Sequence, residues 1–158
     1  NMSFLIDMRD GGSLYSGTNV IAYGTGLHKE TLPGRETGLQ ISGVDTDGNP
    51  LSVDIPADEV QAYYGRYNDI TEYFVYNASF AKLRELSIGY TIPKSILSKT
   101  PIQSANISLV GRNLLLLWSS VPNVDPESAY TASANQQGLE YFALPPVRNM
   151  GFNLSMSF

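Results

Sequence analysis

Arg148-Asn149-Met150-Gly151-Phe152-Asn153-Leu154-Ser155-Met156-Ser157-Phe158 closes the chain on an unbroken alternation. Met150, Phe152, Leu154, Met156 and Phe158 fall on one face, and Asn149, Gly151, Asn153, Ser155 and Ser157 on the other. A period of two is the signature of an extended strand with two unlike faces. Length sharpens that reading. Eleven residues at ~3.3 Å each, tilted ~45°, reach about 26 Å, close to the ~25 Å apolar band of a transmembrane β-barrel. Strands of a sandwich are usually about 5–6 residues long.

The same pattern recurs upstream. Over about residues 80–92, Leu86, Ile88, Tyr90 and Ile92 alternate with Glu85, Ser87, Gly89 and Thr91. Over about 104–118, Ala105, Ile107 and Leu109 alternate with Asn106 and Ser108, and the alternation slips near Gly111, which predicts a bulge or bend. Over about 2–8, Met2, Phe4, Ile6 and Met8 oppose Ser3 and Asp7, with Leu5 breaking the polar set. Pro93 and Pro101 bound a short connection between the second and third of these strands, with room for one helical turn that has Pro93 at its first helical position. The other connections, about 9–79 and 119–147, are long. Within the first, Leu39 and Ile41 lead into Asp47-Gly48, and Leu51, Val53 and Ile55 lead out, which predicts a hairpin.

The chain has 158 residues, 42% of them hydrophobic, and carries a net charge of -5. That apolar fraction excludes a disordered chain, and the acidic balance argues against a nucleic-acid partner. The longest apolar run, Leu114-Leu115-Leu116-Leu117-Trp118, is far short of the ~18 residues of a spanning helix. Absence of cysteine removes disulfides, thiolate metal sites and Cys nucleophiles. The chain opens on Asn1 with no signal segment, so the expectation is a start inside a longer polypeptide, with any export signal upstream.

Two architectures accommodate such strands: a soluble β-sandwich, whose apolar face meets a second sheet, or an outer-membrane barrel, whose apolar face meets lipid. Strand length favours the barrel. So does loop asymmetry, with the short connection on one side and the long ones on the other. Aromatic placement points the same way. Tyr73, Phe74, Tyr76, Phe80, Trp118, Tyr141 and Phe142 are expected at an outer rim, and Tyr90 and Phe158 at an inner rim.

A resemblance strengthens this reading. The segment Asn77-Ala78-Ser79-Phe80-Ala81-Lys82-Leu83-Arg84-Glu85-Leu86-Ser87-Ile88-Gly89-Tyr90-Thr91-Ile92-Pro93 resembles the D-A-S-F-x-K-L-R-E-x-S-L-x-Y-x-x-P segment of SusC/RagA-type TonB-linked outer-membrane transporters, with Asn77 in place of Asp. Gly111-Arg112-Asn113-Leu114 resembles the family's G-R-N-L element, Asp125-Pro126-Glu127 its D-P-E, and Phe4-Leu5-Ile6-Asp7 with Gly11-Gly12 its strand-then-Gly-Gly segment. These elements occur in family order; about residues 13–70 match least. The resemblance implies an all-β fold: about four C-terminal strands of a large antiparallel transmembrane barrel with long extracellular loops, the plug domain being absent. It implies energised import of a bulky oligosaccharide or peptide at the bacterial outer membrane. Implied partners are a SusD-like surface lipoprotein, the TonB complex, outer-membrane lipid and the barrel-insertion machinery. That machinery would read Phe152, Leu154, Met156 and Phe158 as an assembly signal. The alternative is a soluble β-sandwich carbohydrate-binding module.

No enzyme, cofactor or metal is expected. His28 is the single histidine, Gly-x-Ser-x-Gly is absent, and no phosphate loop exists. Asp45-Thr46-Asp47-Gly48-Asn49 lacks the distal Glu of a calcium loop and reads as a turn. Asp125-Pro126-Glu127 reads as a rigid surface turn. Tyr63, Tyr64 and Tyr67 are the candidate substrate contacts, as stacking surfaces for a glycan or peptide; the competing role is packing of the loop against the wall.

Overall fold

The computed structural model describes residues 1–128 and 136–158; residues 129–135 of the second long loop lie outside them. In chain order the elements are β1 (Met2–Arg9), β2 (Ser13–Ser16), α1 (Gly17–Gly24), β3 (Leu39–Val44), β4 (Pro50–Ile55) and α2 (Val60–Gly65). There follow β5 (Val75–Asn77), β6 (Phe80–Thr91), α3 (Lys94–Leu97), β7 (Ser104–Ser119), β8 (Leu139–Glu140) and β9 (Asn149–Ser157). The architecture is dominated by strands and compatible with an all-β class; its helices are short and confined to connections.

The long strands form one antiparallel sheet in the order β1-β6-β7-β9. Residues directly opposite across an antiparallel pair share a face. Met2, Ile88, Leu109 and Phe152 therefore form a row across the sheet, as do Phe4, Leu86, Gly111 and Met150. Tyr90, Ile107 and Leu154 extend the face toward one end, and Met8, Ala81 and Trp118 toward the other. No charged side chain interrupts these rows. The opposite face carries Ser3, Ser87, Ser108, Asn153, Asn106 and Ser155, together with the charges Asp7, Lys82, Arg84, Glu85 and Arg112.

Register breaks explain where the alternation slips. On β7 the extra residues are Asn113 and Leu114, between the Arg112–Glu85 and Leu115–Leu83 pairs. Asn113 has φ +52°, the left-handed conformation that Asn tolerates better than a β-branched residue. Gly111 leaves room for its neighbour: a Cβ there would lie 2.8 Å from the end of the Leu114 side chain, which would have to shift. The slip expected near Gly111 is thus a bulge two residues further on, roofed by Leu114.

Both long loops leave the same end of the sheet, where Arg9 pairs with Phe80 and Phe80 with Ser119. They fold into a layer of their own. There β2 pairs antiparallel with β5 and parallel with β8, so the two loops share one small sheet. This layer overturns part of the expected aromatic rim. Phe74 and Phe80 are fully buried, because Phe80 lies on the polar face beneath the loops and Phe74 packs edge-on to Tyr23. Trp118, Tyr141 and Phe142 remain exposed.

The hairpin β3–β4 turns through Gly48, at φ +84°, and Asp45 organises the turn by accepting from the Asp47 and Asn49 amides at 2.9 and 2.8 Å. At the opposite end of the sheet, Pro93 sits one position before α3 as its N-cap, not as its first residue.

Candidate functional site

The charged part of the polar face meets the second long loop. Lys82 and Arg84, two positions apart on β6, project to the same side. The Lys82 Nζ donates to Asp125 Oδ1 and Oδ2 at 2.6 and 2.8 Å and to Glu127 Oε2 at 2.5 Å. Arg84 donates through Nε and Nη2 to Asp7 Oδ2 at 3.0 and 2.7 Å, and through Nη2 to Glu127. Asp125 also accepts from the Glu127 amide at 2.9 Å, which fixes the turn around Pro126 and aims both carboxylates at β6. Lys82 is nearly excluded from water, with 6% of its side chain exposed. Burial would raise the Glu127 pKa, but the hydrogen bonds from Arg84 and Lys82 outweigh it and hold the carboxyl below its usual range. The expected rigid turn at Asp125-Pro126-Glu127 is present as a clasp that ties the loop to β6 and, through Asp7, to β1.

Beside the clasp a recess of about 480 Å³ opens on the polar face, lined by Asp7, Arg84, Glu85, Arg112, Asn113 and Asn149. Glu85 and Arg112 pair across β6 and β7 at 3.0 Å. The recess offers hydrogen-bond donors and acceptors of both charges.

The loops interlock through a second buried carboxylate. Glu140, 1% exposed, accepts from Ser16 Oγ and Thr18 Oγ1, each at 2.6 Å. Thr18 Oγ1 in turn accepts from the Phe142 amide at 2.7 Å, and Asn19 Nδ2 donates to the Pro122 carbonyl at 3.1 Å. Ser16 caps α1 by accepting from the Asn19 amide at 3.2 Å, so one serine serves both the helix and the carboxylate.

The structure brings Tyr63, Tyr64 and Tyr67 together. Their ring centroids lie 5.3 to 6.1 Å apart, and the Tyr63 and Tyr67 hydroxyls are 3.1 Å apart. All are half-buried. Tyr64 and Tyr67 pack against Tyr23, which is fully buried, hydrogen-bonds Glu30, and also contacts His28, Tyr73 and Phe74. The hydrogen bond with Tyr67, then burial, pushes the Tyr63 pKa up to about 12. Burial, then the hydrogen bond with Glu30, raises that of Tyr23. The Tyr23 and Tyr63 phenols therefore stay protonated at any physiological pH, and of the two only the half-buried Tyr63 can offer a ring face to a ligand. His28 is buried, its Nδ1 accepting from the Glu30 amide at 3.2 Å, and burial lowers its pKa despite the nearby Glu30 charge. Phe152, Leu154, Met156 and Phe158 stand on the exposed apolar face, apart from the loop layer.

The partnerships were hidden in the sequence even where the residues drew attention. Lys82 and Asp125 are 43 positions apart, and Ser16 and Glu140 are 124 apart. No local spacing links either pair. Tyr23, the hub of the aromatic cluster, lies far upstream of the tyrosine-rich stretch.

Against this geometry the comparisons with known proteins can be set. No protein-family model matches the chain. Over 112 residues the chain is 36% identical to TonB-dependent receptor P3 of Formosa agariphila, a match covering 68% of this chain. The similarity supports the TonB-dependent receptor family. The matched stretch spans 11% of the length of that receptor. That relative is named as a receptor and not as an enzyme.

Proposed function

We propose that this chain supplies wall strands and extracellular loops to a TonB-energised transporter of the bacterial outer membrane, of SusC/RagA type, and that it is the C-terminal part of the barrel. The observation that carries this reading is the apolar face. It continues from strand to strand across β1, β6, β7 and β9 without a charge, while every charge of the sheet's interior sits on the opposite side. In a sandwich a second sheet would cover those rows. Among the described residues the small sheet of the loop layer gathers at one end of the strands, and Met150, Phe152 and Leu109 stand open. Lipid is the natural solvent for such a face, and a water-filled lumen for the other.

In this reading the cargo is an oligosaccharide or a peptide, handled without covalent chemistry. Tyr63, Tyr64 and Tyr67 offer it partly exposed ring faces. A SusD-like lipoprotein meets the loops from outside, and the TonB complex acts through parts of the receptor beyond these residues. Phe152, Leu154, Met156 and Phe158 are read by the insertion machinery.

Arginine scanning of β9 tests the lipid face. Leu154 pairs with Ile107 one residue from the middle of β9. Leu154→Arg in the full-length protein, folded into lipid vesicles, is expected to cost about 2–4 kcal/mol. Ser155→Arg, facing the lumen, is expected to cost far less. Equal costs at the two positions in denaturant titrations would remove the barrel reading.

A further inference from the structure

The hairpin β3–β4 is segregated by face along most of its length, with Val44 and Pro50 the exceptions on the polar side, yet it lies in a loop. Leu39 pairs with Ile55, Ile41 with Val53 and Gly43 with Leu51, so one face is wholly apolar. Gln40 pairs with Asp54 and Ser42 with Ser52 on the other face, where the Gln40 amide donates to Asp54 at 3.0 Å. The strands pack chiefly on each other, and Leu51 and Val53 remain 47% and 44% exposed. A lone two-stranded ribbon is marginally stable in water, and an apolar face on one calls for a cover.

Charge identifies the cover. From Glu36 to Glu59 the chain carries Glu36, Asp45, Asp47, Asp54, Asp58 and Glu59 and not one Lys or Arg. This stretch holds the whole negative excess of a chain whose net charge is -5. An anionic lipid surface would be repelled, and a second copy would set acid against acid. A glycan would find no aromatic ring between Leu39 and Ile55 on which to stack. What fits is a protein surface with an apolar strip bordered by basic side chains, which would be steered by the acidic ribbon and then seated on its apolar face.

We infer that the apolar face of β3–β4 is a docking site for a separate, extracellular protein partner whose contact surface is an apolar strip rimmed by Lys and Arg. This inference rests on the outer-membrane reading above and adds to it where the partner sits and what its surface is made of. The ribbon stands clear of the clasp and of the Glu140 contacts, so substitutions in it leave those anchors in place.

The test uses the full-length protein in intact cells, with the photo-cross-linker p-benzoylphenylalanine at Val53 on the apolar face or at Ser52 on the polar face. Cross-linked segments are identified by mass spectrometry. The expected result is a cross-link from Val53 to one other polypeptide, at a segment where apolar residues border Lys or Arg, with little from Ser52. Combining the Val53 probe with Asp47→Lys, Asp58→Lys and Glu59→Lys, which spare the Asp45 turn and the Gln40–Asp54 contact, is expected to lower that yield at least about fivefold. A cross-link only within the receptor polypeptide, to a second copy or to lipopolysaccharide overturns the inference, as does no cross-link at all. An unchanged yield after charge reversal overturns it too. Heat-modifiable electrophoretic migration of the same samples reports barrel assembly, so failure of the outer-membrane reading is distinguished from failure of the docking site.

Discussion

Replacing Lys82 with Met should release the second long loop from the wall without disturbing the wall itself. Met keeps the length and apolar stem of lysine and removes only the charge. The cation lies within 2.8 Å of three carboxylate oxygens, on a side chain only 6% exposed. Removing one partner of a fully buried ion pair costs about 3–5 kcal/mol, because the remaining charge is left without compensation. Here the loss is smaller. Glu127 retains Arg84 and is 30% exposed, and Asp125 retains the Glu127 amide. About 2–3 kcal/mol is a reasonable expectation once solvent around Glu127 is allowed for. Hydrogen exchange in the full-length protein reads the effect locally. The amides of Ser120, Val121, Glu127 and Ser128 should lose protection by roughly 30- to 150-fold, while those of β7 and β9 hardly change. Lys82→Met combined with Asp125→Asn should recover part of the loss, since the second change removes the orphaned charge. Protection within twofold of the parent at all four amides would show that the clasp does not hold the loop, and this account of it would be wrong.

Glu140→Ala should loosen the contact between the loops, leaving the buried Ser16 hydroxyl without its acceptor at a cost of about 1–3 kcal/mol, read as faster exchange at the Tyr15 and Phe142 amides. Asn113→Gly should be accepted, whereas Asn113→Val should cost about 1–2 kcal/mol in denaturant titrations because φ is +52°. The clasp should also answer to pH in a definite direction. The Glu127 pKa is depressed in the folded protein, so its contribution is full above the unfolded-state value of about 4.5 and is lost as pH falls through the lower folded value. Loop protection should therefore be flat from neutral pH down to about 5 and decline only below it, and a midpoint near pH 6 would contradict the assignment.

Much of the wall could be read from the chain alone. Met150, Phe152, Leu154 and Met156 announce their strand because a pleated backbone sends alternate side chains to opposite sides, a local rule that needs no partner. The slip in alternation near Gly111 reported a bulge, though Asn113, not Gly111, takes the left-handed conformation. Asp47-Gly48 marked its hairpin because a turn of that kind needs a residue free to adopt positive φ. The resemblance around Lys82, Gly111 and Asp125 points toward a TonB-linked receptor, and the relative supports that coarser family.

The loop layer was not legible in that way. α1 is short, β2 and β8 are shorter still, and none has enough periodicity to stand out from its surroundings. Phe74 and Phe80 were assigned to a lipid-facing rim on chemistry alone, since sequence shows that a residue is aromatic but not which side the fold covers. Alternation determined the strands and the separation of apolar from polar faces, because those follow from each residue's own neighbours. Tertiary structure decided which loop lies over which face. The Lys82–Asp125 and Ser16–Glu140 contacts join groups far apart in the chain, and only folding, by excluding water from them, makes those pairings worth forming.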